Sequence, residues 1–200
     1  MKNHHKILKG LFDYTLSIIL LIISSFVIIL MIILATISTK KIGVFSQKRV
    51  GYKGRLFKIY KIRTMKSSSN KSTITLYEDE RVTKFGTFLR KSKLDELPQL
   101  LNIVNGDMSF VGPRPDVQGY ADKLEGEDRI VLDVKPGITG PAQLYFKNES
   151  KILSNQINPE LYNKTVIWPK KVSINKAYIK NYTLLADFKY IYKTIFGFYE

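Results

Sequence analysis

Two adjacent carboxylates, Asp95-Glu96, stand between a basic run, Arg90-Lys91-Ser92-Lys93, and the pair Leu97-Pro98. Neighbouring helix positions differ by about 100° in direction, so the two carboxylates do not serve the same atom. One is suited to attack or to ligate while the other holds a metal or a proton. Ser92 and Asp95, three residues apart, also have the form of a capping box, so a helix start with a charged first turn accounts for the same residues. A second candidate is Arg114, which lies between Pro113 and Pro115. The two prolines restrict the backbone and remove an amide donor, and a guanidinium presented from such a segment suits bidentate binding of phosphate oxygens. A surface arginine in a turn is the plainer reading. Lys48, Arg49, Lys58, Lys61 and Arg63 add to the positive field nearby.

Much other chemistry is excluded. The 200 residues contain no cysteine, which removes disulfides, thiolate metal sites and cysteine nucleophiles and fits a reducing compartment. The two histidines, His4 and His5, sit at the N-terminus, so imidazole catalysis is not expected. There is no Walker loop, no G-x-G-x-x-G, no G-x-S-x-G elbow and no D-x-D. Thirty-two basic residues against 17 acidic ones give a net charge of +15, which calls for an acidic partner: nucleic acid, anionic lipid or a phosphorylated substrate.

The elements that must position these groups are partly legible. Val44 to Arg49 and Arg55 to Arg63 read as two strands around the turn Gly51-Tyr52-Lys53-Gly54. Lys66 to Ser72, rich in serine, reads as a mobile loop. Val82 to Asn105 carries helical spacing through Phe85, Phe88, Leu89, Leu94, Leu97, Leu100, Leu101 and Val104, with Gly106 as its stop. Four of the seven prolines fall in Gly112 to Pro115 and Lys135 to Pro141, which predicts fixed loops rather than linkers. Ile179, Tyr182, Leu185, Phe188, Ile191, Tyr192 and Ile195 predict an amphipathic helix whose aromatics, with Trp168, suit a headgroup level or else pack on the body.

From Tyr14 to Ser38 there are 25 residues without a charge. As a helix they reach roughly 38 Å, against a hydrocarbon core of about 30 Å. Lysines flank both ends (Lys2, Lys6 and Lys9; Lys40 and Lys41), and the positive-inside rule draws both to one face. A helix that enters, breaks at Ser24-Ser25 and returns satisfies that pull; an ordinary span with two internally satisfied serines is the alternative.

Five runs in order, F-K-I-Y-K-I-R-T-M (Phe57 to Met65), R-V-T-K-F-G-T-F-L-R (Arg81 to Arg90), L-D-E-L-P-Q-L-L-N-I (Leu94 to Ile103), G-D-M-S-F-V-G-P-R-P (Gly106 to Pro115) and K-P-G-I-T-G-P-A-Q (Lys135 to Gln143), resemble the bacterial sugar transferase family. These are small monotopic polyprenyl-phosphate phosphoglycosyl transferases. The resemblance implies transfer of a sugar 1-phosphate from a UDP-sugar to polyprenyl (undecaprenyl) phosphate with release of UMP, the first membrane-committed step of cell-surface glycan synthesis. It implies Asp95 as nucleophile in a covalent aspartyl-phosphosugar intermediate and Glu96 as its companion, both able to hold Mg²⁺. It assigns Arg90, Arg114 and Lys61 to substrate phosphate and Gln143 to donor binding; Lys9, Asp13 and Asp187 also match family positions and are expected to be structural or interfacial. Two positions depart from the family pattern: Ser25 stands where a proline usually breaks the re-entrant helix, and Pro141 where a larger residue is usual.

The expected architecture is therefore α+β and mainly helical. A re-entrant helix-break-helix over 1–40 precedes a catalytic domain over 41–200, with a short β-hairpin and interfacial amphipathic helices. It is expected at the cytoplasmic face of a bacterial inner membrane, on anionic lipid, with downstream glycosyltransferases as possible partners and no nucleic acid. Two competitors remain: a phosphotransferase that uses another nucleotide donor, and a non-catalytic membrane-anchored basic module that binds lipid or nucleic acid.

Overall fold

The computed structural model describes residues 3–66 and 79–197. Most of the serine-rich segment read as a loop lies outside them.

Helix α1 runs unbroken from Asn3 to Thr39. The expected interruption at Ser24-Ser25 is absent, and the reason is local. The Ser24 hydroxyl donates to the Leu20 carbonyl at 2.6 Å and Ser25 to Ile22 at 2.8 Å. Serine keeps the backbone N–H that proline lacks, so these side chains satisfy themselves within the helix. One face of α1 turns inward at Lys9, Asp13, Ser17, Ile28, Ala35 and Thr39, while Ile19, Ile22, Ile23, Phe26, Ile29 and Ile33 are exposed. Both ends are fixed to the same body. Phe12, Leu16 and Leu21 pack on the main core, and Met31, Ile32 and Ala35 on a second cluster with Ile62 and Leu89. Gly43, just past the helix, lies so close to the Ile32 carbonyl that a Cβ there would overlap it.

The hairpin forms as its sequence predicts. β1 (Val44–Val50) pairs antiparallel with β2 (Leu56–Ile62), with Val50 opposite Leu56 and Val44 opposite Ile62. Lys53 and Gly54, both at positive φ, make the turn.

The expected long helix from Val82 is interrupted. It is α2 (Lys84–Lys91), then a 3-10 turn over Leu94–Glu96, then α3 (Gln99–Val104). Lys93, left-handed at φ 60, ends the first piece, and Pro98, which has no N–H to donate, stands at the start of the last. Ser92 is not an N-cap: its hydroxyl donates back to the carbonyls of Phe88 and Leu89. The true N-cap is Thr83, which accepts from the Gly86 amide at 2.9 Å. Gly106 ends the segment at φ 80, as expected.

Two three-residue strands, β3 (Ser109–Val111) and β4 (Gly137–Thr139), pair in parallel. They tie the two proline-rich loops together. Gly137 donates to the Pro113 carbonyl and Gly112 to that of Thr139, each at 2.9 Å. A Cβ on Gly112, Gly137 or Gly140 would overlap backbone of the opposing loop.

Short helices α4 (Pro141–Tyr145), α5 (Glu149–Ser154) and α6 (Pro159–Tyr162) lead through a π turn into α7 (Trp168–Lys180). The amphipathic pattern expected near the end is divided, because α7 stops at Lys180 and α8 (Leu184–Phe196) restarts after the Thr183 cap. Trp168 packs edge-on against Tyr120, beside Val50, Ala121 and Leu132. Leu185, Phe188, Tyr192 and Ile195 of α8 are exposed. The main core joins β2 (Ile59), α3 (Leu100, Ile103), β3 (Phe110, Val111) and α7 (Tyr178, Ile179).

Candidate active site

The break after α2 has a functional consequence. The turn it creates carries Asp95 and Glu96 inward, at 8% and 9% exposure.

The two carboxylates are treated differently. Glu96 Oε1 accepts from Lys61 Nζ at 2.7 Å and from Arg114 at 3.1 Å. Burial pushes the Glu96 carboxyl up, but Lys61 and Arg114 outweigh it and hold the group well below the usual carboxylate range. Asp95 makes no side-chain hydrogen bond or ion pair among the described residues. Burial and the neighbouring Glu96 charge raise its pKa above the ordinary 3.8, with Lys61, Arg90 and Lys93 pulling the other way. One carboxylate is thus clamped and ionised, and the other is buried, uncommitted and energetically uncomfortable as an anion.

Three elements converge to make this. Lys61 comes from β2 on the same strand face as Ile59, and burial depresses its pKa while Glu96 supports its charge. Arg114 comes from the loop after β3, which the parallel strand pair holds; its side chain remains 46% exposed and can reach a ligand as well as Glu96. Arg90, at the end of α2, donates from Nε to Thr64 Oγ1 at 2.9 Å and lies close enough to Asp95 to feel its charge. Thr64 also accepts the Thr83 amide on its carbonyl, at 3.1 Å, and Gly86 rides so close to that carbonyl that no Cβ would fit. The segment just after β2 therefore sets where α2 begins and where Arg90 points.

Of the residues singled out in the sequence, Asp95, Glu96, Lys61 and Arg114 come together and Arg90 flanks them. Gln143 does not contact the dyad. Its Nε2 makes long bonds, 3.4 and 3.5 Å, to the carbonyls of Gly112 and Gly137, and its Oε1 is buried without a partner. It braces the Arg114 loop from behind. Ser24 and Ser25 belong to α1, away from this site.

The sequence reading missed a group behind Arg114. Asp116 is pushed up to about 6 by burial, despite Lys171, Arg49 and Arg114. Arg49 donates to the Pro115 carbonyl at 3.3 Å and to Gln47 at 2.7 Å, yet its Nε is buried without a partner. Lys171 pairs with Glu149 at 2.7 Å. The position of Asp116 directly after Pro-Arg-Pro was the available signal.

Among the described residues no three His, Cys, Asp or Glu side chains form a metal cage. The two dyad carboxylates nevertheless fit Mg²⁺, which is commonly bound by one or two carboxylates together with substrate phosphates. Asp95 offers unclaimed oxygens for it.

Compared with known proteins, residues 4–200 match the family model described as bacterial sugar transferase. The chain is 35% identical over 189 residues to a Bacillus subtilis protein named uncharacterized sugar transferase EpsL, covering 94% of this chain and 86% of that one. It is 33% identical over 199 residues to the Escherichia coli UDP-glucose:undecaprenyl-phosphate glucose-1-phosphate transferase, covering 96% and 40%. It is 34% identical over 212 residues to the Salmonella typhimurium undecaprenyl-phosphate galactose phosphotransferase, again covering 96% and 40%.

Proposed function

Because the chain belongs to the bacterial sugar transferase family, we propose that it transfers a sugar 1-phosphate from a UDP-sugar to undecaprenyl phosphate and releases UMP, initiating a cell-surface glycan. The observation that carries the mechanism is the asymmetry of the dyad: Glu96 held by Lys61 and Arg114, Asp95 buried beside it with no partner. An Asp95 oxygen attacks the β-phosphorus of the donor. The bond from that phosphorus to the bridging oxygen breaks, and UMP leaves with the electron pair. The resulting acyl phosphate keeps the reactivity of an anhydride, so an oxygen of the lipid phosphate attacks the same phosphorus and returns Asp95 as a carboxylate. Covalent catalysis divides one three-body encounter into two displacements.

The difficulty is anion meeting anion, and the side chains present address it. Arg114 is half-exposed and can exchange part of its contact with Glu96 for a donor phosphate oxygen. Arg90 lends positive charge on the Asp95 side. Lys61 and Arg114 keep Glu96 ionised, which suits it to hold a cation rather than to take up a proton. Mg²⁺, held by Asp95, Glu96 and the pyrophosphate, would supply further neutralisation of the developing charge. Gln143, behind the donor loop, acts through Gly112 and Gly137.

We read α1 as an anchor in the cytoplasmic leaflet whose two ends stay on one side of the inner membrane. Supporting this, both ends are packed on the same body and the exposed residues between them are apolar. The exposed face of α8, whose Phe188 meets Phe12 of α1, extends that surface towards anionic lipid.

UMP release from a panel of UDP-sugars with Mg²⁺ and undecaprenyl phosphate tests the reaction, and mass spectrometry of Asp95 tests the adduct. Another nucleotide product would identify a different donor. Salt-sensitive lipid or nucleic-acid binding with no turnover, indifferent to the dyad, would point to a non-catalytic basic module. For topology, Asn3→Cys and Lys40→Cys can be labelled singly in this cysteine-free chain. Labelling of the two from opposite faces of the membrane would overturn the anchor.

A further inference from the structure

Asn102 lies six residues after Glu96, on α3, and is 0% exposed. Its carboxamide is applied to the backbone of β2. Nδ2 donates to the Lys58 carbonyl at 2.7 Å, and Oδ1 accepts from the Tyr60 amide at 3.1 Å. A carbonyl and an amide two residues apart are the groups a neighbouring strand would engage. Among the described residues this sheet has two strands, and β2 has no strand partner there on its second edge. A helix side chain stands in there for one peptide unit of a third strand. Asn102 also accepts the Asp107 and Met108 amides on its own carbonyl, which fixes the exit from α3.

Apolar packing alone would leave the register of β2 on α3 loosely specified. Ile59 shares a core cluster with Leu100 and Ile103, and smooth aliphatic surfaces tolerate sliding. Sliding matters at this place, because Lys61 is two residues beyond Ile59 on the same strand face and must meet Glu96 at 2.7 Å. A slip of one residue would turn Lys61 to the opposite face of the strand. Hydrogen bonds to two particular peptide groups remove that freedom. The same short segment that carries Glu96 carries Asn102, so the lock and the pair it serves are built on one piece of chain.

We infer that Asn102 is a positioning residue: it locks β2 on α3 in the register that seats Lys61 on Glu96. Glu96 is thereby clamped and Asp95 left uncommitted. The effect on turnover rests on the proposed transfer reaction; the register lock does not.

The test uses the full chain in lipid or detergent, with Asn102→Ala and, as a core truncation on the same helix, Ile103→Val. Acetic anhydride labelling of Lys61, normalised to exposed Lys84 and read by mass spectrometry, reports the lock without any activity. Labelling of Lys61 is expected to rise about fivefold or more in Asn102→Ala and to stay near wild type in Ile103→Val, because only the former frees the strand. In UMP release, Asn102→Ala should lower kcat about tenfold or more while KM for the UDP-sugar moves less than about threefold. Asn102→Ala combined with Lys61→Met should be no slower than Lys61→Met alone, since both act through one contact. Wild-type Lys61 labelling in a folded Asn102→Ala protein, or losses that multiply in the double variant, would overturn the inference. Where the alanine variant does not fold, Asn102→Asp keeps the acceptor for Tyr60, loses the donor to Lys58, and is read by the same labelling. Should the wild-type protein release UMP from no UDP-sugar, the transfer reaction fails and the labelling still decides the role of Asn102.

Discussion

Two of the buried charge clusters among the described residues are finished differently. Where α1 meets α8, Asp187 accepts from Lys9 at 2.6 Å, from Tyr178 at 2.6 Å and from Tyr182 at 3.2 Å, while Asp13 takes the Phe110 amide at 3.3 Å and lies 3.8 Å from Lys9. Each carboxylate there has a protein partner. At the dyad, Glu96 is equally well held, but Asp95 has no hydrogen-bond or ion-pair partner among the described residues. Saturation gives an anchor, since moving any member exposes a buried charge. Incomplete satisfaction leaves, in the proposed reaction, a carboxylate whose open side a cation can complete. The difference lies in the partners, because burial is similar in the two places.

The largest effect expected from that contrast is on turnover. Asp95→Asn should reduce UMP release roughly 10³-fold or more while the protein stays folded. The raised pKa of Asp95 adds a stability consequence. Its favourable contribution is full below the ordinary 3.8 and is lost as pH rises through the elevated value, so at neutral pH the charged side chain is a cost. Asp95→Asn should therefore leave the melting temperature at pH 7, in chelator, equal to or above wild type. A clear drop would break the contrast.

Asp187→Ala should do the reverse. Removing one partner of a saturated buried pair typically costs about 3–5 kcal/mol, read by denaturant titration in detergent, and any turnover lost should follow the fraction unfolded. A smaller effect is expected for Glu96→Gln. The depressed Glu96 pKa contributes stability above the ordinary 4.5 and loses it as pH falls below that. The variant should melt lower than wild type at pH 7, and the two should converge on acidification. Smallest is Asp116→Asn. With its pKa pushed up to about 6, Asp116 favours the fold when protonated, and that contribution fades as pH rises from the ordinary 3.8 through about 6. The variant should show a flatter melting profile over that interval.

The hairpin was legible because glycines mark its turn and β-branched and aromatic residues its strands. The stop at Gly106 and the rigidity of the two proline loops were legible for similar reasons. The dyad was legible as a motif, but its geometry was not. Apolar spacing continues from Phe85 to Val104 across the break, and Lys93 adopts its left-handed turn without the glycine or asparagine that would announce it. Pro98 was the one local hint. The pairing of Lys61 with Glu96 spans 35 residues of sequence, and nothing in either residue type specifies the other. β3 and β4 escaped because three-residue strands with a glycine in β4 carry no periodicity. The continuity of α1 escaped because two central serines are compatible with both a bend and a straight run.

The parallel stitch between β3 and β4 has a consequence for how this protein can be altered. Gly112, Gly137 and Gly140 meet backbone to backbone, so the mount of Arg114 contains almost no side chain that could be exchanged. A randomised library at these three positions should return glycine almost alone. Variation would instead collect in α4 to α6, whose exposed Tyr145, Ile157 and Leu161 can change without displacing the arginine.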